Sequence, residues 1–212
     1  MKRIKITFIL IVLFSIFIFI NAYNYVEAIS DNLYNSVFRL HVIANSDSKE
    51  DQKLKYIVRD RLLNYMNEKC KNHSSKNDVI QYAKNNITEI KQIAENTIKE
   101  NGYNYPVNVE IGNFEFPTKK YGDISFPEGY YDALRVKIGK ATGQNWWCVM
   151  FPPLCFIDST NGIVSDSSKQ TLKETLSEEN YKIISKSENS DITIKFKLIE
   201  FFEKNGLITA KN

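Results

Sequence analysis

The sequence predicts an α+β fold, with a mixed or antiparallel sheet of about five strands and two or three amphipathic helices packed on it. Two patterns give that class. Segments such as 38–44, 134–138 and 192–198 switch between apolar and polar at each residue, the period of a half-buried strand. Between them, apolar residues recur three and four apart, which is the stripe of an amphipathic helix. Their order is strand, helix, helix, strand, strand pair, helix, strand. The 212 residues, 43% of them hydrophobic, suit one packed domain plus a targeting segment.

That segment comes first. Lys2, Arg3 and Lys5 precede a 15-residue apolar run, 6–20, broken by Thr7 and Ser15. As a helix the run spans about 22 Å, short of a hydrocarbon core of about 30 Å. Val26 and Ala28 hold the small-residue positions of a signal-peptidase site. Residues 1–28 therefore read as a signal peptide, or else as a short membrane anchor, and 29–212 as one globular domain outside the cytoplasm. Without the segment, 25 basic residues face 24 acidic ones. So balanced a domain lacks the basic face that nucleic-acid binding needs, and it meets a membrane only through its N-terminal segment.

In the first strand Phe38, Leu40, Val42 and Ala44 share one face, and Arg39, His41 and Ile43 the other. Ser46 and Ser48 are N-cap candidates, and Ser48 with Asp51 forms a variant capping box. The helix that follows buries Leu54, Ile57, Val58, Leu62, Tyr65 and Met66 and ends near Lys69. Ser75 caps a second helix whose stripe runs from Val79 to Ile98, stopped by Asn101 and Gly102. Val107, Val109 and Ile111 begin another strand, and 117–129 reads as an irregular loop. The segment 130–156 is the expected core hairpin: one strand at 134–138, a turn bracketed by Gly139 and Gly143, and a return strand at 145–151. Pro152 and Pro153 end the ladder, since Pro152 has no N–H to donate. A polar loop at 158–168, a third helix to Ser185 and a last strand at 192–198 complete the chain.

Chemistry is sparse. Cys148 and Cys155 flank the proline pair and read either as a disulfide or as two buried free thiols. Cys70 stands alone, and His73 lies in a polar loop. Three cysteines and two histidines at no ligand spacing give no zinc site. A Cys148–His41 pair with Asp47 or Asp60 as orienter is the only nucleophilic arrangement in reach, and it would make a small envelope hydrolase. Cys148 sits mid-strand, away from the helix N-terminus that activates a thiol. No phosphate loop, nucleophile elbow or HExxH occurs, so the expectation is a non-enzyme with no cofactor and no metal.

Asn45, Asp47 and Asp51 read as a helix cap, with a cation site as the alternative; Arg59 and Asp60 read as an ion pair with the sheet. Trp146 and Trp147 face opposite sides of their strand. Trp146 and the turn carrying Phe151, Pro152, Pro153 and Leu154 are the candidate partner surface, because prolines leave little entropy to lose on binding.

The segments ALRVKIG and NWWCVMFPPLCF, together with FRLHVIANSDSKEDQKLKYIVRD at 38–60, resemble the stage II sporulation protein R family of endospore-forming bacteria. The resemblance covers essentially the whole chain. It implies a small signalling protein made in the forespore and exported into the space between forespore and mother-cell membranes. There it would meet the outward face of a membrane-embedded aspartic-type protease, which removes the pro-sequence of pro-sigma-E.

Overall fold

The computed structural model describes residues 2–73, 75–155, 164, 166–185, 197, 201 and 205. Helix α1 (Lys2–Ser36) opens the chain, followed by β1 (Phe38–Ile43), α2 (Lys49–Cys70), α3 (Lys76–Asn85) and α4 (Ile87–Glu100). Then come β2 (Val107–Phe116), β3 (Lys119–Tyr121), β4 (Ile124–Phe126), β5 (Gly129–Ile138), β6 (Asn145–Phe151), α5 (Asp166–Thr175) and α6 (Glu178–Ser185). The fold is α+β, with a mixed four-stranded sheet ordered β2-β5-β1-β6 and a separate β3–β4 hairpin.

The helix α1 continues past the 15-residue run because its polar residues bond within it. Thr7 Oγ1, Ser15 Oγ and Asn21 Nδ2 donate to the carbonyls of Arg3, Ile11 and Phe17 at 3.0, 2.9 and 2.7 Å. No Gly or Pro interrupts it. Arg3–Tyr25, 23 residues, is thus long and apolar enough to cross a membrane, at roughly 34 Å. Its far end is part of the domain. Leu33 and Tyr34 are buried, the Tyr34 hydroxyl donates to Glu128 O at 2.9 Å, and Lys76 Nζ donates to Tyr34 O while pairing with Asp132 at 2.5 Å.

The expected core hairpin does not form. β1 lies between its two strands, parallel to β5 (Leu40 opposite Leu134) and antiparallel to β6 (His41 opposite Trp147). The loop 139–144 therefore crosses the end of β1, where Gly143 N and Thr142 N donate to Ala44 O and Asn45 O at 3.0 and 3.3 Å. A Cβ on Gly143 would collide with Ser46 O, so that glycine is required.

Three other expectations change. The helix expected from Ser75 to Gly102 is two, broken at Asn86, whose Nδ2 donates to Tyr82 O at 2.8 Å. The third helix is likewise split at Ser177, which caps α6 by accepting from Asn180 N at 3.2 Å. The loop at 117–129 carries the β3–β4 hairpin, whose three-residue strands are too short for a periodic signal. The strand expected at 192–198 lies outside the described residues except for Lys197, which is helical; the loop at 158–168 is likewise outside them, apart from Val164 and the start of α5.

The helices α2, α3 and α4 cover the sheet face carrying Leu40, Val42, Leu134 and Val136, all 0% exposed. The other face carries Arg39, His41, Phe116, Tyr131 and Trp147, and the β3–β4 hairpin lies over part of it.

Candidate functional site

The C-terminal end of β1 feeds directly into α2, and the polar residues between them form a closed knot. Ser48 caps α2 by accepting from Asp51 N at 3.1 Å. Asp51 Oδ2 accepts from Asn45 Nδ2 at 2.8 Å and from Ser46 Oγ, and Tyr105 donates to the same carboxylate. Burial alone would raise the Asp51 pKa, yet the donors of Ser46, Asn45, Tyr105 and Ser48 outweigh it and hold the carboxyl below its usual range. Asn45 Oδ1 and O accept from Lys140 N and Thr142 Oγ1, both at 2.9 Å, and Asp47 Oδ1 accepts from Gln144 N at 2.7 Å. Asn45, Asp47 and Asp51 are thus occupied in tying the crossing loop to the helix start. Among the described residues no group of three His, Cys, Asp or Glu could hold a metal ion.

Lys55 lies at the edge of this knot, 1% exposed, donating to Gln52 Oε1 at 2.6 Å and Gln144 O at 3.0 Å. Burial and the nearby Arg59 lower its pKa, opposed by Asp47. Arg59 does not pair with a sheet carboxylate. It pairs with its neighbour Asp60 at 2.6 Å and lays its guanidinium over the Trp146 ring at 4.2 Å. The link from α2 to the sheet is therefore a cation–π contact, which hydrophobic patterning does not reveal.

His41 is 5% exposed and stacks on Trp147 at 3.7 Å, with Nε2 2.7 Å from Asn145 Oδ1. Burial first, then the charges of Arg135, Lys137 and Arg39, lower its pKa to about 4 against the Asn145 bond, leaving a neutral ring with Nδ1 unpartnered. The Cys148–His41 dyad is not assembled. Cys148 sits opposite Leu40 and His41 opposite Trp147, so the two side chains leave opposite faces of the sheet. Cys148 is moreover bonded to Cys155, with their Cα atoms 5.3 Å apart. Cys70 is free, half-buried and desolvated, its pKa raised to about 11.

The proline turn does not present its apolar residues. Leu154 is 1% and Phe151 8% exposed, Pro152 is buried, and Pro153 and Trp146 are half-buried. Leu154 N donates to Val149 O at 3.0 Å, and Ser168 Oγ of α5 donates to Pro153 O at 2.8 Å. The turn is folded back on β6 beside its disulfide and covered from α5, so rigidity here serves packing.

Sequence reasoning missed Arg39. It is 0% exposed, donates from Nη2 to the Tyr121 hydroxyl at 3.0 Å and lies over the rings of Phe116 and Tyr131 at 4.1 and 4.5 Å. Its alternation on β1 placed it opposite the apolar face, but nothing marked the hairpin that covers it.

An apolar N-terminal helix leading into a disulfide-bonded α+β domain, its knot residues turned to structure, is the plan of an exported domain. The stage II sporulation protein R family model matches residues 34–161. The chain is also 36% identical over 179 residues to the stage II sporulation protein R of Bacillus subtilis (strain 168), covering 79% of this chain and 80% of that one. No solved structure matches. The chain belongs to the stage II sporulation protein R family and has a role in sporulation.

Proposed function

We propose that this chain is an exported, non-enzymatic signal that switches on a membrane-embedded aspartic-type protease, which then cuts pro-sigma-E in the mother cell. The family's signalling role supports this reading. The observation that carries it is the junction of helix and domain. About eight residues separate Tyr25, the end of the apolar span, from buried Leu33, a helical rise of roughly 12 Å. With α1 retained, the domain sits against the outer membrane surface, where a membrane-embedded partner presents its outward face. Cleavage after Ala28 frees the same domain into the intermembrane space with Leu33 and Tyr34 still on it.

The mechanism is a population shift. A protease held mostly inactive becomes mostly active when this domain binds its active arrangement more tightly by several kcal/mol, which one interface of ordinary size supplies. The chemistry of cleavage belongs to the partner. Reconstitution of the protease in vesicles, with the full chain and the precursor, tests the reading. Cleavage should depend on the chain; equal cleavage without it, or none with it, overturns the proposal.

A further inference from the structure

Among the described residues Arg39 is buried without a counter-charge. Arg59, Arg61 and Arg135 each pair with a carboxylate, at 2.6, 3.1 and 3.0 Å, and all three are more exposed. Among the described residues no carboxylate pairs with Arg39, although it is 0% exposed. Its Nη2 donates to Tyr121, while Nε and Nη1 are buried with no partner. The rings of Phe116, Tyr131 and, at 5.9 Å, Phe126 attract the cation as a whole, but a ring face does not replace the in-plane acceptors that five N–H groups require. Unpaired buried charge is costly, and native interiors pair it.

We propose that Arg39, beneath the β3–β4 hairpin, is a binding site for a carboxylate group. One guanidinium matches one negative charge. The second N–H of Nη2, with either Nε or Nη1, offers the planar fork that a carboxylate fits. The enclosing aromatic rings favour a small planar anion over a phosphate. The hairpin is the part able to admit it: it pairs with no strand of the main sheet, and Pro117 and Pro127 bracket it. Among its polar ties are the Tyr121 hydroxyl, which donates to Trp147 O at 3.1 Å, and the Lys169–Asp123 ion pair at 2.7 Å, while at its base Pro127 O and Glu128 O accept from the Tyr131 and Tyr34 hydroxyls at 2.8 and 2.9 Å.

Formate is the probe, titrated into the full chain in detergent at constant ionic strength set with chloride. Saturating formate should raise the melting temperature by about 3 °C and move the Arg39 Nε–H resonance, and Arg39→Met should abolish the rise. No rise beyond chloride, or an equal rise in Arg39→Met, overturns the site. Should Arg39→Met not fold, the wild-type Nε–H resonance decides, and an unmoved signal at saturating formate rejects it. The source of the natural carboxylate is read in the reconstituted protease assay. Inhibition of precursor cleavage by formate assigns the site to an acidic side chain of the partner, and unchanged cleavage assigns it to a free small carboxylate. The formate measurements need no protease, so failure of the activation reading leaves them intact.

Discussion

Strand β1 has two polar regions a few residues apart, and they are built in opposite ways. Beyond its C-terminal end, Asn45, Asp47 and Asp51 accept or donate bonds across loop 139–144 and the start of α2, so Asp51 is buried yet well satisfied. On the strand itself Arg39 and His41 are as deeply buried, but Arg39 Nε and Nη1 and His41 Nδ1 have no partner. The difference lies in what surrounds each group. The knot is enclosed by backbone and hydroxyl donors, and the strand residues by aromatic rings. Polar groups of the first kind specify the fold; those of the second keep hydrogen-bonding capacity that the fold does not use.

The comparison predicts its largest effect at the knot. Asp51→Ala leaves Asn45 Nδ2, Ser46 Oγ and the Tyr105 hydroxyl without their shared acceptor and should cost about 3 kcal/mol by chemical denaturation. A loss under about 1 kcal/mol would show that water substitutes for the carboxylate, and the contrast between the two ends would collapse.

Acid is the second lever, and it acts first on the strand. The folded-state pKa of His41, about 4, lies below its ordinary value of 6.5. The unfolded chain therefore takes up the proton first, so this contribution is complete above pH 6.5 and is lost as pH falls from 6.5 toward 4. The loss should reach roughly 2 to 3 kcal/mol. Asp51, with a depressed pKa, follows the carboxylate rule and is lost only at lower pH, below the ordinary carboxylate range. Stability measured between pH 7 and 4 should thus slope in the wild type and flatten in His41→Phe. An unchanged slope would place the acid sensitivity elsewhere.

How far these regions could be read in advance follows from the range of their contacts. The α+β class, β1, the first helix and its Ser48–Asp51 cap were legible because each depends on neighbours within a few residues. The placement of β1 between β5 and β6 was not, since apolar alternation fixes which face a residue occupies and not which strand lies beside it. That misplacement left Leu154 to be read as a presented residue when it is core. Arg39 was hidden for a related reason, because its cover is a hairpin of three-residue strands some 80 positions away.

The smallest expected effect gives the sharpest comparison, because it removes the same atom at both ends. Tyr105 and Tyr121 each supply one phenolic hydroxyl, to Asp51 in the knot and to Arg39 on the strand. Tyr121→Phe leaves Arg39 with no acceptor and removes a donor from Trp147 O, both in a buried setting, and should cost about 2 kcal/mol. Tyr105 is half-buried, but Asp51 keeps its bonds from Asn45 and Ser46 and its N–H bond to the Ser48 cap, so Tyr105→Phe should cost no more than about 1 kcal/mol. The prediction is therefore an inequality between two isosteric deletions, measured in the same denaturant series. If Tyr105→Phe proves the costlier, the knot lacks the redundancy argued for it. If the two are equal, water reaches Arg39 and the guanidinium is not isolated beneath its hairpin.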